Sequence, residues 1–164
     1  MIELNKIQQR NLLILARKTI AQRLGLDFDS GTLDFSDEIF KEKCGAFVTL
    51  HINGNLRGCI GYIEGVHPIP DTIREIAIAA AFRDPRFAPL SKGEYKLIDI
   101  EISILSPIER VDSIDDIVVG RDGLIITRGF NRGLLLPQVP VEQGWDRETF
   151  LTHTCFKAGL PGDS

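Results

Sequence analysis

The chain has 164 residues, of which 43% are hydrophobic and 26% are charged, as in an ordinary globular protein of about one domain. Lysine and arginine number 19 against 23 aspartates and glutamates, and the net charge of -4 argues against binding nucleic acid through bulk positive charge. The longest apolar run, 76–82, is far shorter than the roughly 20 residues of a membrane span, and the first residues do not form a secretory signal. With three widely separated cysteines and no C-x-x-C pair, the chain is predicted to be cytoplasmic, with no nucleic-acid or membrane partner.

Hydrophobic periodicity and turn residues divide the chain into short helices and strands. In chain order, they predict a helix over 5–25, strands over 46–52 and 56–62 joined by a turn at 53–55, and a helix over 71–83. Further along, they predict a strand over 98–104, a short helix or turn over 112–119, strands over 124–128 and 134–136, and a helix over 146–158. Because these elements mix without a regular βα alternation, the predicted fold is α+β, with a largely antiparallel sheet flanked by helices.

The first helix and the strand over 98–104 carry the clearest local signals. Asn5 is a good N-cap residue, and Gln8 stands three positions later, as in a capping box. In the strand, four isoleucines alternate with polar residues, which predicts one buried face and one solvated face.

The register of the predicted hairpin follows from burial. A two-residue loop would place Arg57 and Cys59 on the apolar face and bury a guanidinium without an obvious partner. A three-residue loop through 53–55 shifts the pairing by one residue, which moves every side chain to the other face. Arg57 is then expected opposite His51, and Cys59 opposite Thr49, on the polar face. The apolar face is then expected to consist of Val48, Leu50, Ile52, Leu56 and Ile60.

Two glycines, Gly58 and Gly61, flank the central part of the return strand. Glycine inside a strand often marks the close approach of another backbone or of a ligand. The register therefore predicts that the thiol of Cys59, the imidazole of His51 and the guanidinium of Arg57 share one partly open face.

The segment at 56–61, LRGCIG, resembles the cysteine motif of the AMMECR-type domain family. Two further segments match this family in the expected order: DPRFAPL at 84–90, and LLPQV at 135–139 followed by Trp145 and Asp146. The resemblance covers most of the chain. It predicts a single domain over 1–164, with a smaller lobe at about 45–92.

The resemblance implies an α+β fold in two unequal lobes, with the cysteine motif near a cleft between them. Prokaryotic members look like component A of a set that also contains a Memo-like protein and a radical-SAM protein, so these two are implied as partners. It does not imply a particular reaction. The residues that carry over from the family are Arg57, Cys59, Arg86, Phe87, Gln138, Trp145 and Asp146.

Cys59 has two interpretations. It is a nucleophile if a nearby cation such as Arg57 favours the thiolate, with His51 moving a proton. Alternatively, it is a small residue that fills a tight space between strands, since free cysteine is among the most buried residue types.

The arginines also have two interpretations. Arg57, Arg83 and Arg86 can converge on a small anionic ligand, because the planar guanidinium binds carboxylate and phosphate through two hydrogen bonds. Alternatively, they form internal salt bridges, with Asp84 or Glu64 as nearby candidates.

No motif identifies a cofactor. The three histidines, together with Cys59 or Asp146, lack the spacing of a metal site. Two function classes stay open: an enzyme or enzyme component built around Arg57, Cys59 and Arg86, and a non-catalytic adaptor or binding module. In the second class the same residues bind a ligand, or the surface binds a Memo-like or radical-SAM partner.

Overall fold

The computed structural model describes residues 3–163. Within these residues the helices are α1 (Lys6–Arg23), α2 (Ile69–Phe82), α3 (Lys92–Tyr95), α4 (Gln138–Gln143) and α5 (Arg147–Lys157). The strands are β1 (Ala46–Ile52), β2 (Asn55–Tyr62), β3 (Ile98–Ile104), β4 (Leu124–Arg128) and β5 (Asn131–Leu135). Short 3-10 helices lie at Glu38–Lys41 and Ile114–Asp116. All strand pairs run antiparallel, which confirms the α+β class.

The described residues divide into two compact units, one up to residue 108 and one from residue 109. The larger unit holds α1 to α3 and β1 to β3, and the smaller unit holds β4, β5, α4 and α5. The single domain over 1–164, its lobe at about 45–92 and the cleft between lobes stay predictions. No helix within residues 3–163 combines the length and the apolar character needed to cross a bilayer.

In the larger unit, α1 and α2 pack against one face of a three-stranded sheet with the strand order β2-β1-β3. The capping box predicted for α1 is confirmed, because Gln8 N–H donates to Asn5 Oδ1 and Asn5 N–H donates to Gln8 Oε1. α2 begins at Ile69, before the predicted start, since Pro70 is tolerated in a first helical turn, where the backbone N–H has no partner in any case. The core includes Leu12, Ala16, Ile20, Val48, Leu50, Ile73, Ile76 and Ala80.

The hairpin turn differs from the predicted three-residue loop. It has two residues, because Ile52 pairs directly with Asn55. Asn53 and Gly54 both have positive φ, 51° and 79°, as in the type I′ turn that matches the twist of paired strands. Asn-Gly adopts this turn so readily that it sets the loop length.

A β-bulge then corrects the register along the hairpin. His51 lies opposite Leu56 rather than Arg57, and the pairing shifts by one residue at Arg57, so that Cys59 lies opposite Thr49 as predicted. The predicted burial of Leu56 on the apolar face is wrong, since this residue is 40% exposed. The extra residue of a bulge lies outside the regular strand pairing, and in this hairpin that residue is Arg57.

The glycines of β2 allow backbone segments to approach closely. A Cβ on Gly58 would lie 2.1 Å from the carbonyl oxygen of Ala80 in α2. A Cβ on Gly61 would lie 2.1 Å from the carbonyl oxygen of Ala46 in β1. A glycine in a strand can mark the close approach of another backbone segment or of a ligand. At both positions the structure shows the close approach of a backbone segment.

The smaller unit is a β4–β5 hairpin packed against α5. The hairpin turn is shorter than predicted, because Gly129 has φ 61° and β5 begins at Asn131 instead of residue 134. Gly133 of β5 lies against Ala158 after α5, where a Cβ would meet backbone atoms. The unit has its own buried cluster of Ile117, Leu124 and Phe150.

Candidate functional site

Cys59 lies on β2, which is an edge strand of the sheet. Its backbone N–H points away from β1 and donates to Asp84 Oδ2 at 3.0 Å, while its carbonyl accepts from Arg86 Nη2 at 3.4 Å. The sulfur lies 3.2 Å from Thr49 Oγ1, the hydroxyl of the residue directly across the strand pair. Cys59 is half-buried, whereas Cys44 and Cys155 are buried. The thiol therefore faces a polar neighbour at an edge of the sheet.

Asp84 and Arg86 form a tight ion pair beside Cys59. Asp84 Oδ1 accepts from Arg86 Nε at 3.0 Å and from the backbone N–H of Arg86 at 3.1 Å, and Oδ2 accepts from Nη2 at 2.7 Å. The hydrogen bonds from the Arg86 side chain, with those from the backbone N–H groups of Cys59 and Arg86, hold the pKa of Asp84 well below its usual value. The carboxylate is buried, while 54% of the Arg86 side chain is exposed.

The charge of Asp84 also acts on Arg86. The pKa of Arg86 is raised, mainly by the hydrogen bonds to Asp84. The guanidinium of Arg86 is therefore held by the carboxylate, and its Nη2 also reaches the Cys59 carbonyl.

Arg57 forms a second carboxylate pair, with Glu94 of α3. Its Nε donates to Glu94 Oε2 at 2.8 Å, and its Nη2 donates to Glu94 Oε1 at 3.2 Å and to the carbonyl of Ala88 at 2.6 Å. These bonds hold the pKa of Glu94 at about 2. Arg57 is 8% exposed, and its Nη1 is buried without a hydrogen-bond partner.

Glu94, a residue that the sequence reasoning missed, therefore compensates the buried charge of Arg57 through Nε and Nη2 but leaves Nη1 without a partner. A signal for it exists in the sequence. Ser91 and Glu94 have the S-x-x-E spacing of a capping box, and both of its hydrogen bonds are present at the start of α3. This spacing predicts a helical turn there, although it does not indicate that Glu94 also reaches Arg57.

Phe87 connects the two ion pairs. The Cζ atoms of Arg57 and Arg86 each lie 5.5 Å from the centre of the Phe87 ring. At this distance the ring attracts both cations, and it keeps the two guanidinium groups close to the same side chain. The structure therefore brings together four of the residues that the resemblance implies: Arg57, Cys59, Arg86 and Phe87.

His51 is not hydrogen-bonded to Cys59 within the described part of the chain. β1 places it between Leu56 on β2 and Asp99 on β3, whereas the sulfur of Cys59 contacts Thr49. A catalytic Cys59–His51 pair, with the histidine as proton carrier, stays a prediction.

The other predicted site residues, Gln138, Trp145 and Asp146, belong to the smaller unit. Gln138 is the first residue of α4. Trp145 stacks on His153, with 4.0 Å between ring centres and 11° between ring planes. Asp146 is the N-cap of α5 and accepts from the backbone N–H of Thr149 at 2.8 Å, and hydrogen bonding to Thr149 lowers its pKa. Their role in ligand binding stays a prediction.

No group of three His, Cys, Asp or Glu side chains that could hold a metal ion is found within residues 3–163. The arrangement around Cys59 instead offers a thiol, two carboxylate-bound guanidinium groups and an aromatic ring. These groups are suited to binding an anion and to thiol chemistry.

Fold and site together define a class of α+β protein in which an edge strand carries a cysteine flanked by two arginine–carboxylate pairs. The AMMECR1 family model matches residues 13–164, and the chain belongs to this family. The resemblance based on the LRGCIG, DPRFAPL and LLPQV segments is thereby confirmed.

Relatives of the chain come from several archaea. A protein of Methanothermobacter thermautotrophicus is 48% identical over 98% of this chain and 86% of its own length. Protein MJ0810 of Methanocaldococcus jannaschii is 52% identical over 77% of this chain and 67% of its own length. The crystal structure of the uncharacterized protein PH0010 from Pyrococcus horikoshii has a TM-score of 0.80 and 41% identity, covering 93% of this chain and 80% of that one.

Proposed function

We propose that this protein is an enzyme or enzyme component that binds a small anionic ligand at Arg57 and Arg86 and presents Cys59 as a reactive thiol. The observation that carries the proposal is the way both guanidinium groups are held. Each arginine contacts its carboxylate through Nε and Nη2, and in neither case does a described residue accept from Nη1.

Internal salt bridges alone do not account for this pattern. A buried guanidinium nitrogen without a partner is costly, and Nη1 of Arg57 is such an atom. The Arg86 side chain is 54% exposed, so a ligand from solvent can reach it. An anion that reaches both groups would supply the missing acceptor at Arg57 after a small displacement of the side chains that cover it.

The thiol has the surroundings that favour reactivity. A cation lies beside the cysteine, because Arg86 Nη2 donates to the Cys59 carbonyl. In the reaction class we propose, the sulfur forms a bond to an electrophilic atom of the ligand. The leaving group departs with the bonding electrons, and the thiol proton passes to solvent or to His51.

The proposal is tested by alkylating Cys59 with two reagents that differ only in charge, iodoacetate and iodoacetamide. In both reactions the sulfur displaces iodide. We define the selectivity ratio as the rate constant with iodoacetate divided by that with iodoacetamide. Since Arg86 attracts the anion, Arg86→Gln is expected to lower this ratio about fivefold. The rates are measured by mass spectrometry of the peptide that contains Cys59.

Two controls belong to this experiment. Arg83→Gln removes one positive charge from the same loop, where Arg83 is exposed, and should leave the ratio nearly unchanged. Cys59→Ser should abolish fast labelling, because Cys44 and Cys155 are buried.

Equal ratios in wild type, Arg86→Gln and Arg83→Gln would contradict the anion-binding function. The remaining candidate would then be a non-catalytic module that acts with a Memo-like or radical-SAM protein. Phe130, fully exposed at the tip of the β4–β5 hairpin between two exposed arginines, is the feature that favours such an interface.

A further inference from the structure

We infer that Asp84 is the positioning residue of this site: its carboxylate fixes both the Cys59 peptide group and the Arg86 guanidinium, and so sets where an anion lies relative to the thiol. The inference rests on the proposed function and adds a role for a residue whose hydrogen bonds go to the Cys59 N–H and to Arg86.

The first argument is the hydrogen bonding of the strand edge. β2 is an edge strand, and the N–H and carbonyl of Cys59 point away from β1. These two groups therefore have no neighbouring strand of the sheet to bind. Asp84 accepts from the N–H, and Arg86 donates to the carbonyl. The ion pair thus takes the place of a paired strand at this one residue, and both polar groups of the peptide are satisfied.

The second argument is the orientation of Arg86. Its side chain is more than half exposed, and an arginine in such a position ordinarily samples several rotamers. Here Asp84 receives the backbone N–H, Nε and Nη2 of Arg86. These contacts confine the guanidinium beside Cys59, with Nη1 directed away from the carboxylate that binds the other two nitrogens.

The third argument is the placement of Asp84 itself. It is 4% exposed and follows α2 by two residues, so the end of a well-packed helix determines its position. A buried carboxylate that accepts four hydrogen bonds is held in one orientation. Because Asp84 is fixed at the end of α2, its hydrogen bonds also fix the positions of the Cys59 peptide group and of the Arg86 guanidinium.

Asp84→Asn tests this role, because positioning and simple charge predict opposite results. Removing a negative charge near Cys59 should attract iodoacetate and raise the selectivity ratio if Asp84 acts only through its charge. If Asp84 positions Arg86, the amide offers one acceptor oxygen instead of two, the guanidinium is held less firmly, and the ratio should fall about threefold. The protein is first checked for a cooperative thermal transition.

Arg86→Lys is the second variant, since a half-exposed site tolerates it even if Asp84→Asn does not fold. Lysine keeps the positive charge but cannot bind both carboxylate oxygens and the Cys59 carbonyl together. We expect the ratio to fall by about threefold in this variant too. A general loosening of the structure would instead raise the rates with both reagents and leave their ratio unchanged.

The outcomes separate the two hypotheses. If Arg86→Gln lowers the ratio while Arg86→Lys and Asp84→Asn do not, the anion-binding function stands and the positioning role of Asp84 is wrong. If Arg86→Gln leaves the ratio unchanged, the proposed function itself fails. A rise in the ratio with Asp84→Asn would show that Asp84 acts as a charge alone.

Discussion

The DPRF segment at 84–87 and the Trp145–Asp146 segment both carry residues that resemble family motifs, but the two segments use their polar atoms differently. In the first, Asp84 and Arg86 hold Cys59, and the guanidinium keeps a nitrogen without a described partner. In the second, Asp146 caps α5, and Trp145 stacks on His153. Polar atoms of a motif residue that are already hydrogen-bonded within the protein do not indicate a ligand. Only the donors and acceptors that have no partner in the protein do so.

Gly58→Ala should have the largest effect and tests the packing of β2, which carries Cys59, against α2, which precedes the DPRF segment. The new Cβ would lie 2.1 Å from the Ala80 carbonyl oxygen, so β2 and α2 must separate. We expect a loss of about 3 kcal/mol in the free energy of unfolding, measured by denaturant titration. Gly93→Ala is the matched control, because its nearest atom, Ser91 Oγ, is 3.9 Å away. Equal stabilities of the two variants would contradict the packing argument.

Glu94→Gln should have a smaller, pH-dependent effect and tests the ion pair with Arg57. The pKa of Glu94 falls from 4.5 to about 2 on folding, so the pair stabilises the protein above pH 4.5, and this stability is lost as the pH falls towards 2. Because 35% of the Glu94 side chain is exposed, we expect the variant to lose only about 1 kcal/mol at pH 7.

The measurement is denaturant unfolding of wild type and variant at several pH values. The difference in stability should stay constant from pH 7 to about pH 5 and shrink below it. Glutamine keeps the capping-box acceptor for the Ser91 N–H, so the change isolates the charge. Glu64→Gln, at an exposed position, should show no such trend. A pH-independent difference for Glu94→Gln would argue against the ion pair.

Asp146→Ala should have the smallest effect and tests the second region. Loss of the N-cap is expected to lower the Tm by a few degrees, while Asp146→Ser, which can still cap, should restore most of it. The selectivity ratio at Cys59 should remain unchanged in both variants. A changed ratio would mean that Asp146 influences the reactivity of Cys59 and would remove the contrast between the two regions.

The sequence was most informative where the signals are local. The capping box of α1 and the strand β3 follow from patterns within a few residues, although the predicted solvated face of β3 includes Ser103, which is buried. The pairing of Cys59 with Thr49 was predicted correctly, but through a three-residue loop. The structure reaches it through a two-residue turn and a bulge at Arg57, because Asn-Gly favours the shorter turn and the bulge supplies the missing residue.

The candidate site was predictable only in part, because its partners are far apart in the chain. Asp84 was a nearby candidate for Arg86, and this pair is present. Glu94 lies 37 residues after Arg57, and no short-range pattern links them. The short helices α3 and α4 were also missed, since a single turn around Gly93 and a helix containing Pro140 have weak intrinsic propensities.

The hydrogen bonds of Asp84 and Arg86 to the Cys59 peptide group affect how readily this protein can associate with itself. Exposed sheet edges are templates on which a second polypeptide can add a strand and begin aggregation. At the middle of β2 an incoming strand would have to displace the carboxylate of Asp84 from the Cys59 N–H, and the bulge at Arg57 interrupts the regular ladder nearby. Folding intermediates in which the segment after α2 has not yet docked would lack this protection, so aggregation should be fastest from partly folded chains and slow from the native protein.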